Sequence, residues 1–320
     1  MDVDVAFSGW IGKGVTPPVK NSLTKLIRLP LDPALLENVP FLAGFGRGEG
    51  HIEAIGSITN QTYRLDLGQE SYVVRVAGPT TRYLDRAVET HNAGIAAELG
   101  LAPPVLHLDD KLLVTRFVTG ARPLNATDLA DPGRLQQVGA LLAHLQRSPR
   151  PFRHERHPFG EIDRYLGEYP HPRTVALRRQ MQPVEAALGQ SPRPLVPAHV
   201  DASAANFLLG EDGRLWLVDW EFSSMADPAW DPASVMMQRA ADDDELSRRF
   251  IAAVLGDAGD ASLARIGLFK VALCLVAGSW CAMEATARRD EALMRTAEGY
   301  LDRGEVFLAD PRLPRWLAAV

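Results

Sequence analysis

The hydrophobic period of this 320-residue chain changes once, near Gly120, and that change sets the architecture open to it. From His51 the apolar residues alternate in short runs, HIEAIGS, TYRLDLG and SYVVRVAG, with Gly68-Gln69-Glu70 as a turn between the last two. Alternation with a period of two marks half-buried strands. The run from Thr81 to Leu99 has no proline and carries Leu84, Val88 and Ile95, which predicts a helix ended by Gly100. PVLHL and LLVTRFV read as two further strands joined through Asp109-Asp110-Lys111. Beyond Gly120 and Pro123 the pattern is helical. Asp131 caps a helix with Pro132 at its first position, and Leu135, Val138, Leu142 and Leu145 share one face. Further helices are expected over 161–168, 173–189, 242–255, 262–288 and 290–308, with 148–160 as a loop. Residues 1–30 show no period and read as an irregular lead-in, and a short helix is expected after Asp32. The expected fold class is α+β in two lobes: a small antiparallel sheet with one helix over 1–118, and a larger, mainly helical lobe over 119–320.

Charge and cysteine usage narrow the class. A formal net charge of −6 argues against nucleic acid as partner, because phosphate backbones select basic surfaces. The two cysteines, Cys274 and Cys281, stand two helical turns apart, roughly 10 Å, which is too far for a disulfide. Buried thiols and a reducing, cytoplasmic setting are expected. The first residues, MDVDVAFSGWIGKG, do not read as a signal peptide. The most apolar stretch, Ile266 to Ala285, contains Lys270, Gly278, Ser279 and Glu284 and reads as a buried helix, with no membrane partner expected.

One island, 195–231, interrupts the helices and contains HVDASAANFLLGEDGRLWLVDWEF. FLLG-EDGR-LWLV reads as a β-hairpin closed by a two-residue Asp212-Gly213 turn. That register sets Asn206 opposite Asp219, with Cα atoms roughly 4.5–5.5 Å apart. An amide oxygen beside a carboxylate is a hard donor pair suited to Mg²⁺. Asp201 lies five residues before Asn206, at the same mouth. Phosphoryl transfer needs metal neutralisation of phosphate charge and a carboxylate to orient the attacking hydroxyl and accept its proton. The set Asp201, Asn206, then Asp219 between an apolar strand and Trp220-Glu221, meets that need with three residues, and His199 stands two positions before the first.

This segment resembles the catalytic and metal loops of the protein-kinase-like fold, in the form shared by aminoglycoside phosphotransferases and choline/ethanolamine kinases. The resemblance implies a two-lobed kinase with ATP and Mg²⁺ as cofactors, Asp201 as catalytic base, Asn206 and Asp219 on the metal, and His199 bracing the loop. Asp227-Pro228-Ala229-Trp230-Asp231-Pro232 is similar to the D-P-x-x-D-L segment of those families, with Pro232 in place of leucine; Asp231 is expected to cap a helix and tether the loop. Gly56-Ser57-Ile58-Thr59-Asn60 resembles the loop that covers the ATP phosphates. SYVVRVAG resembles the strand that carries the phosphate-positioning cation, which makes that cation Arg75, and LDRAVETHNAGIAAELG supplies Glu89 as its partner. Backbone groups between Thr115 and Val118, Phe117 among them, would meet the adenine ring.

The acceptor implied by the resemblance is a hydroxyl-bearing small molecule, with a cationic one among the expectations. GSWCAMEA, with Trp280, is similar to the helix that presents tryptophan to a quaternary ammonium. Phe222, Trp230 and Tyr300 are the other aromatic candidates. Ala277 stands where a second tryptophan is expected, and D-W-E-F replaces D-F-E-Y, so the aromatic box is incomplete. Glu221 is expected either to balance a substrate cation or to support the metal loop. A choline- or ethanolamine-type acceptor leads. An aminoglycoside, thiamine, a sugar, or a nucleotide-binding scaffold without transfer are the alternatives. The acidic run Asp242-Asp243-Asp244-Glu245 reads as a solvated helix start.

Overall fold

The structure is a computed structural model and describes residues 31–32, 35–36, 39–42, 50–55, 61–76, 84–109, 111–239 and 244–320. The 1–30 lead-in, the phosphate-covering loop 56–60 and Asp242-Asp243 of the acidic run lie outside them. Among the described residues the chain divides into two compact units: residues up to 125 together with 205–222, and 126–204 together with 223–320.

In the first unit the alternating runs form β1 (His51–Ile55), β2 (Gln61–Leu67), β3 (Glu70–Val76), β4 (Val105–Leu108) and β5 (Leu112–Arg116). They pair antiparallel in the order β1-β2-β3-β5-β4. Every second residue of the central strands, Tyr63, Leu65, Tyr72, Val74, Leu112 and Val114, is buried on one face, where Leu36, Val39 and Leu42 cover it. Each such side chain contributes roughly 1.5–3 kcal/mol. The helix that follows the third strand, α1, runs Arg86–Glu98 and starts later than the proline-free run suggested. Asp85 stops it there: its carboxylate accepts from the Ala87 and Val88 amides at 2.9 and 3.2 Å, an N-cap that fixes the first turn.

The island hairpin belongs to this unit, with β6 (Arg122–Pro123), β8 (Phe207–Leu209) and β9 (Leu215–Leu217) in the order β6-β8-β9. Its register differs from expectation by one residue. Phe207 pairs with Leu217 and Leu209 with Leu215, so Asn206 lies opposite Val218, whose amide donates to the Asn206 carbonyl at 2.9 Å. The cause is the turn. Gly213 donates to the Gly210 carbonyl at 3.0 Å and adopts φ +78°, making a three-residue loop with a left-handed last position instead of a two-residue turn.

The second unit is helical: α2 (Pro132–Gln146), α3 (Pro158–Glu168), α4 (Pro172–Gln180), α5 (Gln182–Gln190), α6 (Trp230–Met236), α7 (Glu245–Leu255), α8 (Asp260–Arg288), α9 (Glu291–Leu308) and α10 (Leu313–Ala319). Two short strands, β7 (Val196–Ala198) and β10 (Ser224–Ala226), pair antiparallel beside the helices. The single helix expected over 173–189 is broken at Met181, because Pro183 has no amide to give and its ring crowds the preceding turn. Helix α8 is the only described helix long and apolar enough to cross a membrane, and its most apolar window is entirely buried within the protein. α3, α6, α9 and α10 surround it. Cys274 and Cys281 are buried in it as free thiols.

The hairpin turn gives a test. Gly213→Ala forces a side chain into the left-handed region and should cost about 1–2 kcal/mol. Gly213→Asn, which tolerates that region, should cost less. Urea unfolding of both variants measures the difference.

Candidate active site

In the first unit the sheet, helix and hairpin deliver their charged residues to one guanidinium. Arg75, near the end of β3, pairs with Glu89 of α1 at 3.0 Å, with Asp219 at 2.8 Å and with Glu221 at 3.0 Å. Arg86 contacts the same Glu89 carboxylate. The Arg75 side chain is 12% exposed and that of Glu221 is fully buried. Burial alone would lower the Arg75 pKa, but the carboxylates of Asp219, Glu89 and Glu221 outweigh it and hold the group raised and charged. The strand–helix ion pair expected from the sequence is present. Glu221 grips the same guanidinium that pairs with Asp219.

Asp219 itself sits at φ +73°, a conformation that costs of order 1–3 kcal/mol in a residue other than glycine. The short 3₁₀ turn Trp220–Phe222 that follows is buried, and the Trp220 indole donates to the Leu217 carbonyl at 3.0 Å. Asn206 is 4% exposed, at the end of the 3₁₀ turn Ala204–Asn206 that leads into β8. Thr115 lies in β5 between Val73 and Val105. The Phe117 amide is donated to Ser71 at 3.0 Å, and the Arg64 guanidinium stands 4.3 Å over the Phe117 ring.

In the second unit the loop after β7 is held from behind. Val200, immediately before Asp201, has φ +70°, an outlier for a β-branched residue. Its conformation is clamped on both sides. The Asp231 carboxylate accepts from the His199 and Val200 amides at 2.7 and 2.8 Å, and the Trp230 indole donates to the Val200 carbonyl at 2.8 Å. Downstream, the Ala204 amide donates to Gln238 Oε1 at 2.8 Å. Asp231 therefore tethers the loop, as expected, but it does not cap a helix. It lies in the first turn of α6, whose N-cap position is Ala229. Asp227 of the same segment is bound through both oxygens by Arg265 of α8.

His199 and Asp201 are 0% and 1% exposed. The Cys281 thiol of α8 and the Tyr300 hydroxyl of α9 are both pushed up, first by burial and then by neighbours that include the Asp201 carboxylate, so these two helices border Asp201. Trp280 and Tyr300 are 7% and 6% exposed. Trp230 is fully buried against Phe269, its ring 6.3 Å away, and serves the loop rather than an open aromatic face. Phe222 is buried in the first unit.

Sequence reasoning missed Glu284. It is 3% exposed, one turn beyond Cys281 on the same stripe of α8, and its charge reaches the Cys281 thiol. Arg288 meets it through Nε at 2.8 Å and Nη2 at 2.6 Å, both on Oε2. The signal was an acidic residue inside an apolar run at i+3 and i+4 from Cys281 and Trp280.

The Asp231 clamp has a pH signature. Burial pushes the Asp231 carboxyl up to about 6, against the opposing pull of the His199 and Val200 amides. The folded chain then holds this proton more tightly than the unfolded chain. The stabilisation is full below pH 4 and is lost as pH rises through about 6, on the order of 3 kcal/mol at most. Urea unfolding at pH 4.5 and pH 7 should show this slope in the wild type. Asp231→Asn should remove the slope and cost about 2 kcal/mol at pH 7, because an amide cannot accept from both backbone groups.

Several known proteins are similar to this chain. Protein LicA of Haemophilus influenzae is 28% identical over 192 residues, which cover 57% of this chain and 56% of LicA. The mouse choline/ethanolamine kinase is 28% identical over 169 residues, 48% of this chain and 43% of the kinase. The matches thus span about half of each relative. A choline/ethanolamine kinase family protein from Mesorhizobium loti superposes with a TM-score of 0.76 at 28% identity, covering 90% of this chain and 97% of that one. Residues 51–266, carrying Arg75, Glu89, Asp201, Asn206, Asp219 and Asp231, match the phosphotransferase enzyme family, and the chain belongs to that family.

Proposed function

We propose that the chain is an ATP-dependent small-molecule kinase of a reducing, cytoplasmic compartment that moves the γ-phosphate to the hydroxyl of a choline- or ethanolamine-like amino alcohol. The observation that carries this reading is the Arg75 cluster. Two cations, Arg75 and Arg86, stand among three carboxylates, Glu89, Asp219 and Glu221. The five charges leave one negative in excess, so the group is suited to gain a further cation.

Mg²⁺ fits that need. It keeps most of its waters and takes one or two protein oxygens beside substrate phosphates, so it requires no all-protein cage. The Asp219 carboxylate and the Asn206 amide oxygen would hold it, and it would neutralise charge on the transferring phosphoryl group. Arg75, anchored by Glu89, positions the phosphates. Asp201 orients the acceptor hydroxyl and accepts its proton as the new P–O bond forms. Gly56, Ser57, Thr59 and Asn60 cover the phosphates in this reading, and backbone groups near Thr115 to Phe117 meet the adenine.

On the acceptor side, Trp280 and Tyr300 offer aromatic faces, and Ala277 withholds one. Glu284 supplies a carboxylate in its place. Both Arg288 contacts fall on Oε2, which leaves Oε1 to a protonated amine. A primary ammonium, with N–H groups to donate, gains more from that oxygen than a quaternary one.

Two measurements test this. ADP release with Mg-ATP should respond to one member of a panel of choline, ethanolamine, thiamine, aminoglycosides and sugars. Asp201→Asn should lower that turnover by about 10²–10⁴-fold while ATP binding persists; undiminished turnover would rule Asp201 out as the base. Glu284→Gln should raise KM about tenfold for ethanolamine and less for choline. An equal effect on both would refute the amine contact.

A further inference from the structure

A cavity of about 100 Å³ lies in the second unit among α6, α7, α8 and α10, and it shares no residue with the candidate active site. Arg248, Lys270, Arg312 and Arg315 line it, with Asp260 the one acidic lining residue and Trp316 as a flat wall. Lys270 and Cys281 are eleven residues apart on α8, roughly 16 Å along the axis. Occupation of this cavity is therefore separate from the chemistry at Asp201.

The cavity is built, not left over. Gly267 of α8 faces the Trp316 ring so closely that a Cβ there would stand 2.7 Å from it, so a glycine is needed for α10 to close this side. The Arg312 guanidinium lies 4.9 Å over the Trp316 ring and is fixed by Asp310 at 2.8 Å. Arg315 is held by Asp260 at 2.8 Å. Lys270 is 4% exposed within the most apolar helix of the chain, and its ammonium stands 4.5 Å over the Phe307 ring. Burial, and then Arg312, lower the Lys270 pKa to about 8. An ammonium there is held at a disadvantage that a bound anion would relieve. Leu263 and Ile266 add an apolar wall.

We infer that this cavity binds the phosphate group of a small molecule, with Lys270, Arg312 and Arg248 among the cations that hold it. Forked guanidinium donors beside an ammonium match a tetrahedral oxyanion better than a single charge does. Inorganic phosphate and a phosphomonoester share this chemistry.

The test is a titration of the full chain with inorganic phosphate, and separately with O-phosphoethanolamine, at constant ionic strength set by chloride. Thermal unfolding and tryptophan fluorescence are the readouts. A saturable rise in Tm with a fluorescence change that Trp316→Phe abolishes is expected. Lys270→Met should weaken binding at least tenfold, and Arg248→Gln, an exposed change that leaves the fold alone, severalfold. Asp201→Asn should bind as the wild type does. Tighter binding of O-phosphoethanolamine identifies a phosphomonoester, equal binding identifies free phosphate, and both support the site. A response no greater than that to chloride overturns the proposal, as does unchanged affinity in Arg248→Gln and Lys270→Met. If Lys270→Met does not fold, Arg248→Gln alone decides.

Discussion

The first unit converges on the Arg75 guanidinium. Three carboxylates reach it from separate pieces of chain: Glu89 from α1, Asp219 from the end of the hairpin, and Glu221 from the turn that follows. A buried ion group of this kind is a poor source of net stability, because desolvation consumes much of the Coulombic gain. Its value lies in geometry. Removing any member leaves an uncompensated buried charge, so the strand, helix and hairpin must meet in one arrangement. Glu221 shows why three carboxylates are useful where two would neutralise more evenly. It has no side-chain exposure, so its grip on Arg75 is shielded from water, and Asp219 shares the same guanidinium.

Strain is the counterpart of that constraint. Val200 and Asp219 both adopt positive φ, and they border or are the two residues on which the chemistry is proposed to turn. A conformation that costs of order 1–3 kcal/mol persists only if its surroundings over-determine it. At Asp219 the Arg75 pair does this. At Val200 the consecutive residues Trp230 and Asp231 do, one on the carbonyl and one on the amide. The D-P-x-x-D segment is thus explained by what it does to the backbone of another loop. Its own helix gains no side-chain cap from Asp231.

Much of this was legible in the chain. Period-two alternation located all five strands of the larger sheet, and the Arg75–Glu89 pair was implied by the resemblance of SYVVRVAG and LDRAVETHNAGIAAELG to a kinase strand and helix. What escaped was set by single residues acting on the backbone. The Asp212-Gly213 pair suits a two-residue turn as well as a three-residue loop, and only the left-handed Gly213 at the last loop position decides, shifting Asn206 from Asp219 to Val218. Asp85 capped α1 one turn inside a run whose composition was helical throughout. Pro183 split a helix that its apolar pattern joined. Asp231 was read correctly as a tether and wrongly as a cap, because local spacing cannot reveal that its partners lie about thirty residues earlier.

Helix α8 shows how far polar residues in an apolar run can be read. Between Ile266 and Ala285 it carries Lys270, Ser279 and Glu284, all buried. Ser279 closes onto its own helix, donating to the Leu275 carbonyl at 2.6 Å, so it needs nothing from outside. Lys270 and Glu284 are charged and cannot be satisfied that way at so little cost. Glu284 is met by Arg288 on the stripe with Cys281 and Trp280 that borders Asp201, and Lys270 lies over the Phe307 ring at the basic cavity. On the two readings proposed above, the same helix separates a cation-seeking end from an anion-seeking end. An acceptor bearing an amine suits the first, and a phosphate suits the second. The polarity follows from two charged residues placed fourteen positions apart, the only charged ones between Ile266 and Ala285.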